Sequence, residues 1–574
     1  SDGMLHYQKV DYPMGEFWFN SPTHDKPNDM LDAISGAHVY GKNIIQAEGF
    51  TQVRGTWNEH PALLKPLLDR NYALGINRLF FHVYVHNPWL DRRPGMTLDG
   101  IGFFFQRDQT WWEKGAKAFV DYTRRCQALL QYGHPVVDIA VFTGEEIPRR
   151  AVLPERLVPS LPGLFGSRRV ESEKNRLANI GQPLRTIVGV THSANMADPE
   201  NWVNPLRGYA YDSFNKDALL CLASVDKGRI CLPGGASYKV LVLPLPRPMD
   251  PDGLPLSTEV QAKVDEWRKA GIIIPELPYR FEDFAAYGLE RDVIVPEDIA
   301  WTHRKGPEAE IYFLSNQRGE ERHFTASLRG IKEVQPECWN PVSGEMYKAR
   351  SWKCKDGRTS VELTLAAGES VFIVCYFKAD QKNETIVPEL PTDLSKEAST
   401  ELSSELSSEL SEETDILPLR FKKPWSVYFA GLNKTIRRDT LFDWTDEQDH
   451  SIRYYSGRAV YTNTFNWTDD RKMPVAYLRL GRVENIAVIK VNGVECGTAW
   501  TAPYQVEVTA ALRKGKNTLE IEIINTWANA IRGMDRGEPP FDGIWTNARY
   551  RLDGTELVPA GLFGPLEMRL SVSP

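Results

Sequence analysis

Two short segments each carry a glutamate on an apolar, strand-like stretch beside aromatic residues: Pro13-Met14-Gly15-Glu16-Phe17-Trp18 and Ile44-Ile45-Gln46-Ala47-Glu48-Gly49-Phe50-Thr51. A carboxyl group in such surroundings is costly unless it is paired or used. Two of them can divide the work of cleaving a glycosidic bond, one protonating the departing oxygen and the other activating water. Glu16 and Glu48 are therefore the candidate catalytic residues, with a buried ion pair as the alternative for each. Flat aromatic faces suit sugar rings, which makes Trp18, Trp57, Trp89 and Trp112 candidate stacking residues, with packing as the alternative. His82 and His86 stand four apart on what reads as one strand, so they share a face. With Asn87 they are candidates for hydrogen bonds to sugar hydroxyls, since a zinc site would need ligands that no spacing supplies.

The elements that would position these residues alternate in type. Asn28 to Tyr40 reads as a helix stopped at Gly41, and Asn43 to Gly49 as a strand. Pro61 to Leu74 is a helix with Leu63, Leu64, Leu67, Leu68 and Tyr72 on one face and Gly75 at its end. Ile76 to His86 is a strand, and Trp111 to Tyr132 a long helix closed by Gly133. This β-α-β-α rhythm implies parallel strands with helical crossovers. In such folds chemistry gathers at the C-terminal strand ends, where Glu16, Glu48, His86 and Asn87 would lie. About three strands are visible, against eight in a closed barrel.

Further along, residues 136–295 read as a second α/β unit, opened by the strand Val136 to Phe142 and continued by Val240 to Leu243, the helix Glu259 to Ala270 and the strand Gly271 to Pro275. Residues 296–380 alternate with a period of two and predict a small β-sandwich. Residues 381–415 are acidic and low in complexity, and read as a linker. Residues 416–574 return to alternation with turn signals at Val491-Asn492-Gly493 and predict a jelly roll.

A length of 574 residues calls for several domains. A net charge of -8 argues against a dedicated nucleic-acid binder. No apolar run reaches the length of a membrane span. The seven cysteines form neither a CxxC pair nor a zinc spacing, so no disulfide framework is expected. The chain opens on Ser-Asp-Gly-Met with strand signals close behind, which leads to the expectation that the natural N-terminus lies upstream. An export signal there would make the protein periplasmic or secreted.

The order of GEFW, GAHVYGKNIIQAEGFT, GINRLFFHVYVHNPW, Pro94-Gly95, Thr110-Trp111-Trp112 and RRCQALLQYG resembles the catalytic region of family 106 glycoside hydrolases, the bacterial α-L-rhamnosidases. VVDIAVFTGEEIP through KVLVLP is similar to that family's amidotransferase-like domain. The last segment, with Asn492, Gly493, Gly497, Trp500, Asn525 and Trp527, is similar to the galactose-binding-like sandwich of family 2 glycosidases. The resemblance implies a multidomain α/β plus β chain: the C-terminal part of a (β/α)8-type barrel over 1–135, the amidotransferase-like domain, the small sandwich and a galactose-binding-like jelly roll. It implies inverting release of terminal α-L-rhamnose from a polysaccharide or glycoside, and possession of a calcium ion, for which Glu16 and Glu48 are weak ligand candidates. The family's Asp-Ser-Trp/Tyr-Glu motif, which carries an essential carboxylate, is absent, so the general acid is expected upstream of Ser1. Two other readings stay open: a non-catalytic carbohydrate-binding remnant, in which Trp500, Trp527 and Trp545 would hold sugar, and a family 2 or 42-like β-galactosidase.

Overall fold

The computed structural model describes residues 1–20, 27–98, 102–178, 206–245, 255–377, 415–422, 424–468, 475–552, 554 and 556–571. The molecule is multidomain, α/β followed by β. The linker expected at 381–415 falls outside the described residues except for Asp415, which opens the strand Asp415–Pro418.

The N-terminal unit is a parallel sheet of three strands in the order β1 (Met14–Trp18), β2 (Gln46–Thr51), β3 (Arg78–Phe81). Helices α1 (Pro27–Val39) and α2 (Pro61–Leu74) make the crossovers, and α3 (Lys117–Leu130) follows. One face of the sheet, with Phe17, Ala47, Leu79 and Phe81, packs on the helices in a core that includes Met30, Ile34, Leu64, Leu68 and Phe119. Helix α2 forms where its leucines repeat. Leu64, Leu68 and Tyr72 are fully buried, each supplying roughly 1.5–3 kcal/mol of apolar transfer. Gly75, at φ 131°, closes it in a conformation that a side chain would strain.

Three expectations need correction. The strand expected over Ile76 to His86 ends at Phe81, because the chain then turns aside to hydrogen-bond the segment at Phe103: Val83 N–H donates to the Phe103 carbonyl, and Phe103 N–H to that of His82. His82 and His86 therefore do not share a strand face. The helix expected from Trp111 begins as a π-helical turn, Trp112–Ala116, before α3 proper. The strand expected at Gly271 to Pro275 is a single bridge, Ile273 to Val240.

A second parallel sheet orders Val240–Val242, Ile139–Phe142 and Tyr211–Phe214. Beyond it two antiparallel sheets enclose a core that includes Trp301, Leu314, Leu328 and Ile373. These sheets also recruit His134–Pro135 and Val293–Ile294, so the sandwich is tied into the preceding unit at both ends of that unit. The C-terminal sandwich rests on sheets of six, four and three strands around a core with Val427, Trp444, Tyr461, Ile489 and Leu519. No helix among the described residues is long and apolar enough to cross a membrane.

Candidate active site

The open face of the three-stranded sheet carries the two glutamates. Glu16 and Glu48 are direct register partners on neighbouring parallel strands, and Phe80 on β3 is the next residue in the same row. Register partners project to one face, and adjacent strands lie about 4.8 Å apart, so the two carboxyl groups rise side by side. Met14, Gln46 and Arg78 form the row behind them. Both glutamates stand inside their strands rather than at the strand ends. The Thr51 hydroxyl donates to Glu48 Oε1 at 2.6 Å, fixing that carboxylate.

Small residues make this row possible. A Cβ on Gly15 would lie 2.9 Å from the Asp29 carbonyl oxygen on α1, and one on Gly49 only 2.4 Å from Leu79 Cδ1. Just past Glu48 the register slips: Phe17 pairs with Gly49 but Trp18 with Thr51, leaving Phe50 as the extra residue of a bulge. Phe50 has φ 69°, a left-handed backbone unusual for an aromatic residue. Its buried ring packs edge-on against Phe17 at 5.1 Å and near Phe81, Phe103 and Phe119, and this cluster holds the bulge in place. Bulges re-aim side chains beside functional sites, and here the bulge sets Trp18 opposite Thr51 instead of Phe50.

The remaining candidates scatter. His82 is half-buried just past β3, with its backbone N–H on the Gly49 carbonyl. His86 is exposed. Asn87 is buried and serves the loop, donating to the Arg92 carbonyl and to Asp108 Oδ2 at 2.9 Å. Trp57 is fully buried against Phe104, with its N–H on the Thr546 hydroxyl, so it offers no free ring face. Trp111 is buried as well. Trp18 and Trp112 are half-buried, the latter edge-on to Phe105 at 5.0 Å and near the exposed Tyr84. Trp89 meets Trp545 at 5.1 Å, edge to face. Trp500 and Trp527 are buried at the contact between the C-terminal sandwich and the N-terminal unit, where the Trp527 N–H donates to the Asp108 carbonyl, so they present no surface for sugar.

Two residues escaped the sequence reading: Phe80, 47 % exposed, the aromatic neighbour of Glu48, and the exposed Tyr84, whose ring lies near Trp112. Trp545, a sugar-binding candidate of the remnant reading, meets Trp89. Alternation along β3 could have pointed to Phe80, whereas no local signal ties Trp545 to this loop. Among the described residues no three His, Cys, Asp or Glu side chains come together as a metal cage. Two adjacent carboxylates alone do not meet the six to eight oxygens that calcium takes, so this part of the molecule does not by itself fit the expected ion.

Residues 1–174, which include this sheet, match the family model described as alpha-L-rhamnosidase. Over those residues the chain matches glycoside hydrolase family 106. A rhamnosidase structure from Novosphingobium sp. PP1Y superposes on this chain with a TM-score of 0.76 at 27% identity, over 99% of this chain and 52% of that one. Residues 407–554 match the galactose-binding domain-like model of glycosyl hydrolase family 2. A Formosa agariphila protein provisionally named beta-glucuronidase is 34% identical over 390 residues, 67% of this chain and 31% of its own length. The chain thus spans about half of the one relative and a third of the other.

Proposed function

We propose that this chain provides the second part of the catalytic barrel, with its accessory domains, of an inverting α-L-rhamnosidase acting on rhamnose-bearing glycans. The observation that carries the reading is the in-register pair Glu16 and Glu48 on the open face of a parallel sheet, within the residues that match the rhamnosidase family. On this reading the open face is the inner wall of a barrel, and further strands close on the edges of β1 and β3, which have no other strand beside them among the described residues. One glutamate of the pair takes a proton from the attacking water on one side of the sugar ring. The general acid comes from the strands outside this chain and protonates the leaving oxygen from the other side, with room between for the water. The other glutamate holds a sugar hydroxyl, and Phe80 and Trp112 face the ring.

The test is rhamnose release from an aryl α-L-rhamnoside by the protein purified from its native source, with the anomer of the first-formed product followed by NMR. Release of the inverted anomer, and a loss of about 10²–10⁴-fold in Glu16→Gln or Glu48→Gln, are expected. Unchanged turnover in both variants sinks the reading. Aryl β-D-glucuronide and β-D-galactoside belong in the same assay, because the Formosa relative and the family 2-like domain each point to a competitor.

A further inference from the structure

A cleft of about 1130 Å³ opens between the second α/β unit and the small sandwich, and no residue of β1–β3 lines it. Its wall is a chain of alternating charges. Asp138 lies between Arg229, at 3.0 Å, and Arg329, at 2.8 Å. Asp292 lies between Arg329, at 3.3 Å, and His303, at 2.8 Å. Glu310 accepts from both Lys305 and Lys332. With Glu333, four carboxylates face four cations, and the formal charge of the lining cancels.

One atom in this wall makes no hydrogen bond although its residue is almost fully buried: His303 Nε2, in a residue 4% exposed, 4.0 Å from Glu310 Oε2. His303 Nδ1 is engaged by the Asp292 carboxylate at 2.8 Å, which leaves Nε2 as the open position of the ring. The cleft therefore offers one unfilled ring nitrogen among paired carboxylate, ammonium and guanidinium groups. Phe377, 38% exposed, stands at its edge as an aromatic face. A buried polar atom left without a partner is costly, and a native site usually fills it.

We propose that this cleft is a second saccharide-binding site, separate from the Glu16–Glu48 sheet, that takes a neutral oligosaccharide. Hydroxyl groups donate and accept at once, which is what alternating acids and bases require. A polyanion meets four carboxylates and a polycation four bases, so neither gains. The volume, at the upper end of ordinary ligand pockets, exceeds what a single sugar ring fills. The inference does not depend on the catalytic reading.

The experiment is calorimetric titration of the whole chain with neutral hexasaccharides (gluco-, manno-, galacto-, xylo- and rhamno-oligomers) and with hexagalacturonate as the charged comparator. Binding of at least one neutral oligomer is expected, at least ten-fold weaker in Phe377→Ala and in Asp292→Asn. The double variant Glu16→Gln/Glu48→Gln should bind as the unaltered chain does. Phe377 is a rim residue, so its variant reports even if Asp292→Asn fails to fold. The proposal falls if no neutral oligomer binds, if hexagalacturonate binds more tightly, or if Phe377→Ala leaves binding unchanged.

Discussion

At the scale of single residues, the Thr51 hydroxyl donates a hydrogen bond that aims Glu48. Thr51→Val keeps the shape and removes that donor, and it should lower turnover about five- to ten-fold, in line with a hydrogen bond to a charged group. The melting temperature should shift far less than it does for core variants. A drop in KM alone, with kcat intact, would show that Glu48 needs no such aiming. His60 gives a second residue-scale expectation. Burial lowers its pKa from 6.5 to about 4, so between those values the unfolded chain holds a proton that the folded one does not. Stability is then level above about pH 6.5 and falls as the pH drops toward 4, by about 3 kcal/mol in total. His60→Gln should flatten that acid limb, which thermal unfolding at pH 4.5, 5.5 and 6.5 would reveal.

At the scale of elements, α2 is fastened to the sandwich by a buried charge cluster. Lys65 and Asp69, both without exposure, pair at 2.7 Å one turn apart. Lys65 also donates to the Gly368 carbonyl and the Ser370 hydroxyl, while Ser315 and Tyr122 donate to Asp69. Asp69→Ala leaves a buried ammonium unbalanced and should cost about 3–5 kcal/mol. The double change Lys65→Met/Asp69→Leu should cost less than the single one, and a greater loss in the double would refute the argument. This helix also marks what the sequence reveals. Its span was legible because five apolar residues repeat at helical spacing and a glycine follows, and those are local facts. Only Leu63 of that apolar stripe stands clear of the protein, 44% exposed. The strand after it was not legible past Phe81. Alternating apolar residues say that a segment is extended, not which neighbour it pairs with, and Val83 found Phe103 instead of β2. Likewise, Glu16 and Glu48 could be singled out by type and setting, but their shared row depends on a register that only the packed sheet defines. For Trp57 the choice between stacking and packing was not legible, because its cover, Phe104 and Thr546, lies elsewhere in the chain.

At the scale of the whole molecule, the cleft between the α/β unit and the small sandwich carries charge that responds to acid. Burial works against the Glu310 carboxylate, but His303 and the two lysines outweigh it and hold its pKa at about 2, well below the ordinary 4.5. Its stabilising contribution is complete above about pH 4.5 and is lost as the pH falls toward 2. Glu310→Gln should therefore unfold earlier than the parent near neutral pH, with the gap between them closing on acidification through that window. A gap that widens instead would mean that the pairs with Lys305 and Lys332 add nothing.

The contact between the two ends of the chain has a further consequence, for synthesis rather than for chemistry. The strand Arg93–Gly95 pairs in parallel with Ile544–Thr546, and Thr97 is held by Asn547, 450 residues away. A ribosome adding about 5–20 residues per second needs roughly 20–90 seconds to cover that stretch. Throughout that time the loop bearing Asn87 and Trp89 lacks the strand Ile544–Thr546, so this side of the glutamate sheet is completed only by residues some 450 positions further along. A chain that stalls or is clipped shortly before Ile544 would carry every candidate catalytic group and still lack the strand that settles the loop beside them.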